Sequence, residues 1–329
     1  MADDSENLPT IRGWLESWLG FQLPTIPMPN TLKNLDKAIS TIVLATAANA
    51  KVRIDGSTGK IKAANQITVD DMFRTAEEKR KFENRSAATK AAIEDLRNEP
   101  PQTDAADQIE EDWLNTYGRI AEEKSSEELQ ALFGKILAGE IRKPGSFSLR
   151  TLQFVANLSR SDAEAITSIF PYVLNRILVP FTDQEFSELA VKTRLVMEEL
   201  GILTGTASKV GAMALTIELP PAEVPYYLVA SGCGLIIKNH TDHKLAHALG
   251  GQPITSVARE LLKISQHKET NLEFVESIGK QIGRGFGLTG DDCSDKVSID
   301  LMRIDSVQAE SFSFAVLKSV VAYKPATMT

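Results

Sequence analysis

The stretch IEEDWLNTYGRIAEEKSSEELQALFGKILAGEIRKPGSFSLRTLQFVANLSRSD, Ile109 to Asp162, decides the fold. Trp113, Tyr117 and Ile120 recur at i, i+4 and i+7 and share one helical face. Ser125-Ser126-Glu127-Glu128 reads as a capping box: a hydroxyl accepts from a free N–H of the next helix, and Glu128 reaches back to its start. Leu129, Leu132, Phe133, Ile136 and Leu137 then form a wide apolar stripe at helical spacing, which places Leu132, Ile136 and Leu137 in a core. Gly139 and Pro144-Gly145 end that helix. Ser146 or Ser148 caps a third helix with Leu149, Leu152, Val155 and Ala156. Ser159 and Ser161 cap a fourth with Ala163, Ile166 and Phe170, which Pro171 bends or ends. Short capped helices in series predict a compact bundle over 104–180.

On the N-terminal side, residues 1–30 predict an arm. Ile11, Trp14, Leu15 and Trp18 make an amphipathic stripe, and prolines at 24, 27 and 29 make an extended linker. Two indoles are too much apolar surface to leave wet, so Trp14 and Trp18 are expected to bury against a second copy or a partner. The polar face, with Glu16 and Arg12, suits anionic lipid poorly. Residues 31–99 predict a helical region: a helix over 31–50, a hairpin or loop from Val52 to Ala63, and a charged, solvated helix over 70–99. Pro100-Pro101-Gln102-Thr103-Asp104 predicts a linker and a domain boundary.

The remaining residues, 181–329, predict an α+β region. A helix starts at Thr182 or Asp183, a second carries Leu195, Val196 and Leu200, and Gly201 ends it. Met213–Leu219 alternates at period two, Tyr226 to Ile237 is β-rich, and a helix follows from Thr255 to Ser265. Val297–Leu301 and Phe312–Phe314 suggest closing strands. This order resembles a winged helix, with the helix through Lys192 and Arg194 in the recognition position. Glu188, Glu198 and Glu199 on or near that helix repel phosphates and favour protein contact or packing. The expected class is therefore α+β and mostly α, with an N-terminal helical arm, a central bundle of short helices and a C-terminal winged-helix-like region.

LQALFGKILAGEIRKPGSFSLRTLQFVANLS, within the opening stretch, resembles the signature of the bacterial family known as domain of unknown function 2806. Ile254 to Ile264, ITSVARELLKI, is similar to a phrase near the end of such proteins, departing at Ala258 where the family pattern has glycine. The resemblance extends over roughly the C-terminal two thirds of the chain. It implies a bacterial protein, and related helical modules resemble those of abortive-infection and other phage-defence proteins. It carries no activity and no catalytic residue onto this chain.

The 329 residues are 43% hydrophobic and 24% charged, as in an ordinary globular protein. A net charge of −8 argues against a protein that coats nucleic acid. Cys233 and Cys293 fit no CxxC spacing and read as reduced thiols. The acidic N-terminus lacks a signal-peptide pattern, and the longest apolar run is too short to span a bilayer, so a cytoplasmic location is expected.

Four constellations of residues could carry chemistry. On a helix, His240, His243 and His247 would share one face and offer zinc three nitrogens, but HExxH is absent and an exposed polar turn is the favoured reading. Gly279, Gly283, Gly285 and Gly287 with Arg284 would suit a phosphate cradle, but the P-loop pattern is missing and the glycines read as a helix end. Asp104, Asp107, Glu110, Glu111, Asp112, Glu122 and Glu123 offer carboxylates that also suit helix starts. Arg142, Lys143 and Arg150 flank the Pro144-Gly145 turn with Phe147 exposed beside it, the best binding-loop candidate. The expected function is a non-enzymatic interaction or scaffold protein without cofactor, a homo-oligomer or partner-bound, acting as a phage-defence sensor or effector component. The alternatives are a DNA-binding regulator and a metal-dependent hydrolase.

Overall fold

The computed structural model describes residues 14, 17–19, 69–99, 109–184, 186, 189–205, 213–265, 269–288, 292–307 and 312–325. The predicted helix over 31–50 and the hairpin or loop at 52–63 lie outside these residues. The fold is α+β and mostly α. It divides into two compact units, 1–157 and 158–329.

The first unit is helical: α1 (Val69–Asn98), α2 (Glu111–Ala121), α3 (Glu127–Arg142) and α4 (Leu149–Ala156). Its core is Trp113, Tyr117, Phe133, Ile136, Leu137, Leu152 and Val155, buried as the spacing predicts, together with Leu114, whereas Ile120 and Leu129 of the predicted stripes are half-buried. Leu132 is only half-buried. The cap of α3 is Ser126, whose hydroxyl accepts from Leu129 N–H; the capping box lies instead at Ser159 and Asp162. Helix α1 is more than a solvated charged rod. Asn84, Ala88, Thr89 and Ala92 are buried along it, and α1 packs on α3. The predicted boundary at 100–104 therefore does not separate compact units: small residues on α1 give a flat seam against which α3 closes.

The second unit begins with α5 (Arg160–Ile169), capped by Ser159. It was expected in the helical bundle over 104–180. The segment after it is instead tied to later residues: Thr270 donates to Pro171 O, and Tyr172 lies edge-on to Phe274 at 4.9 Å. Then come β1 (Leu178–Pro180), α6 (Val191–Glu199), β2 (Met213–Leu219), β3 (Tyr226–Val229), β4 (Cys233–Asn239), β5 (Leu245–Pro253), α7 (Ser256–Leu262), α8 (Leu272–Gly285), β6 (Cys293–Ser294), β7 (Val297–Val307) and β8 (Phe312–Tyr323). One sheet has the order β1-β5-β2, all antiparallel. The helix expected from Thr182 or Asp183 is not formed at Thr182–Gln184, whereas α6, β2 and α7 stand where the sequence order places a helix, a strand and a helix. The connection from β2 to β5 carries β3 and β4, which join β7, β8 and β6 in a second sheet of order β3-β4-β7-β8-β6.

Helix α8 covers that second sheet. Gly279 and Gly283 lie inside the helix rather than at its end. A Cβ on Gly283 would stand 2.8 Å from Val321, and one on Gly279 would stand 3.0 Å from Val320, so the missing side chains let helix and sheet approach. Gly279 and Gly283 thus form a packing surface, while Gly285 ends the helix as expected and Gly287 follows in the left-handed conformation.

Candidate functional site

The Pro144-Gly145 turn is built from below by Glu140. Its carboxylate is buried and accepts from Gly145 N–H and, at 2.9 Å, from Phe147 N–H. Trp113 Nε1 donates to Phe147 O at 2.7 Å. The Phe147 ring turns inward and is buried; the 2.6 Å between its edge and the point where a Cβ on Gly139 would sit leaves room only for glycine there. Phe147 was expected exposed, so this is a correction: with both neighbouring backbone groups bound from inside, its ring has only the interior to enter. Around the turn lies a cleft of about 400 Å³ lined by Glu110, Trp113, Glu140, Gly145, Ser148 and Leu149, among others.

The remaining interaction candidates divide. Arg142 serves the fold: it donates to the carbonyls of Asp95 and Glu99 and pairs with the Asp95 carboxylate, placing a cation on the C-terminal carbonyls of α1. Trp14 and Trp18 stack on each other at 5.0 Å and both meet Tyr117 edge-on, so these rings pack on their own unit. Burial holds the Tyr117 hydroxyl far above its ordinary pKa, and it donates to Phe133 O at 3.1 Å. Lys143 and Arg150 are exposed at the turn. Of the acidic group, Glu122 and Glu123 are paired with Lys81, and Glu123 also with Arg80, which lowers the Glu123 pKa.

The three histidines share no helical face. Asn239 closes a turn between β4 and β5, its amide donating to Leu219 O and His243 O and its oxygen accepting from Thr241 N–H. His243 sits in that turn, exposed, beside Asp242. His247 lies on β5 against Phe286 at 5.4 Å, and its pKa is lowered by burial. Among the described residues, no three His, Cys, Asp or Glu side chains converge as a metal site requires.

His240 has partners that the sequence did not reveal. Its ring nitrogens face Glu223 Oε1 at 2.9 Å and Ser298 Oγ at 2.8 Å, and Tyr323 stacks on the ring at 4.0 Å. These partners lie 17 and 58 residues away, and no local motif joins them. The chain of groups has the order of a serine–histidine–carboxylate triad. Ser298, however, stands within the β4–β7 ladder opposite Lys238, where strand pairing consumes the backbone donors that an oxyanion would need.

The helix in the recognition position differs most from expectation. Arg194 is 3% exposed. Its guanidinium donates to the carbonyls of Leu189, Val179 and Pro180 and to Gln252 Oε1, and it lies 5.1 Å from the centre of the Phe181 ring. Burial lowers its pKa to about 10, which leaves it charged at neutral pH. Arg194 therefore cannot reach a phosphate or a base. The outward residues of α6 are instead largely apolar: Val191 at its start is 61% exposed, and Leu195 and Val196 at its centre are 54% and 39% exposed. Lys192 and Glu199 are exposed at its two ends.

Residues 72–175 match the model of the family described as Protein of unknown function (DUF2806). The chain resembles that family across α1 to α5, so the resemblance begins earlier than the signature phrase and ends well before Ile254–Ile264. No curated protein and no solved structure matches the chain. Among the described residues, no helix is long and apolar enough to cross a membrane.

Proposed function

We propose that the protein is a non-enzymatic interaction module of the bacterial cytoplasm, a scaffold or sensor component that docks a protein partner through the outward face of α6. One observation carries this reading: the helix in the recognition position exposes Val191, Leu195 and Val196 while its arginine is spent inside the fold. Water-exposed aliphatic side chains along one helix favour a protein surface, whereas a DNA reader presents cations and amides there. The setting in phage defence is supported by the family resemblance alone and forms part of the proposal.

The test is fluorescence anisotropy of labelled duplex DNA at low and high salt. The expected result is weak binding that Lys192→Ala leaves unchanged. Tight binding that falls steeply with salt, and that Lys192→Ala weakens, would favour the DNA-binding regulator instead.

A further inference from the structure

We infer that the partner of this face is a second copy of the same chain, docked through an antiparallel α6–α6 pair; the inference rests on the protein-docking reading above. The outward stripe runs Val191, Lys192, Leu195, Val196, Glu199, at the i, i+4 spacing of one helical face. A surface meets its own copy about a two-fold axis only if it is self-complementary. The point midway between Lys192 and Glu199 falls between Leu195 and Val196. A two-fold axis through that point places Leu195 of one copy against Val196 of the other. It also brings Lys192 at each end opposite Glu199 of the other copy.

The charges favour the same arrangement. Helix α6 has no acid in its first turn and no base in its last. Lys192 and Glu199 thus stand at the ends where a helix's own dipole disfavours them. An antiparallel copy reverses this: each lysine meets the negative end of the facing helix, and each glutamate the positive end. No acceptor side chain caps α6, since its N-cap is Ala190. One short helix supplies less area than a standard interface of roughly 1,600 Å², so the pair forms reversibly, with protein concentration.

Sedimentation velocity of the full chain over a concentration series tests this. The wild type is expected to shift from monomer to dimer as concentration rises, less so at high salt. Lys192→Glu alone, Glu199→Lys alone and Leu195→Ser should each remove the dimer. The double variant K192E/E199K should restore it, and an equimolar mixture of the two single charge variants should form it as well. All these positions are exposed, and an unchanged circular dichroism spectrum verifies folding. A wild type that stays monomeric throughout overturns the inference, as does a dimer indifferent to the single variants or a double variant that fails to recover. If the wild type stays monomeric and DNA binding is also weak, only the second-copy inference falls and a foreign protein partner remains. If DNA binds through Lys192, the docking reading itself falls.

Discussion

Helices α3 and α6 each show an apolar stripe in sequence, yet only α3 turns its stripe inward. In α3, Phe133, Ile136 and Leu137 are buried and the charged residues at its first turn face water. In α6, Arg194 and Met197 are buried while Leu195 and Val196 remain exposed. The difference is what surrounds each helix. Along the Phe133–Leu137 stripe, α3 meets aromatic rings from α2 and small residues from α1, which apolar side chains complement. Helix α6 sits over the end of β1, where the carbonyls of Val179 and Pro180 need donors, and a guanidinium answers several at once. A stripe identifies a helix; the hydrogen-bonding needs of its neighbours decide which side goes in.

The sharpest way to break this comparison is Arg194→Ala. It strands the carbonyls of Leu189, Val179 and Pro180 and opens a void, and a loss of about 3–5 kcal/mol is expected in chemical denaturation. A loss below about 1 kcal/mol would mean that the guanidinium does not anchor α6. Next in size is Ile136→Ala, expected to cost about 3 kcal/mol through a cavity between helices of the first unit. A change within surface noise would remove the core assigned to α3. The smallest effect belongs to Leu195→Ser, expected to shift the stability of dilute protein by no more than about 0.5 kcal/mol. If it costs as much as Ile136→Ala, the α6 face is internal and the contrast collapses.

Legibility followed the range of the interactions. The bundle was readable because capping serines, glycine stops and helical spacing are local signals, and Ser126, Ser148 and Ser159 all cap helices in the structure. Strand Met213–Leu219 was readable from alternation alone. What was hidden depends on distant partners. Phe147 looked exposed because nothing near it in sequence announces Trp113 and Glu140 as its hosts. Arg194 looked like a surface cation because its carbonyl partners come from another element. The exposed turn at His243 was legible from its polar neighbours, but nothing local placed His247 on β5 against Phe286. His240 gave no hint of Ser298, which joins it only through strand pairing.

The Glu140 carboxylate also governs time. A surface turn ordinarily gives up its amide protons to solvent quickly, since nothing holds them. The Gly145 and Phe147 amides point inward to a buried acceptor, and freeing them requires a carboxylate to lose its partners in a nonpolar interior. These two amides should therefore exchange with deuterium on the schedule of the helices around them, so that the turn opens only when the bundle does. The phrase by which the family resemblance is recognised is then a clasp whose lifetime equals that of the fold it closes.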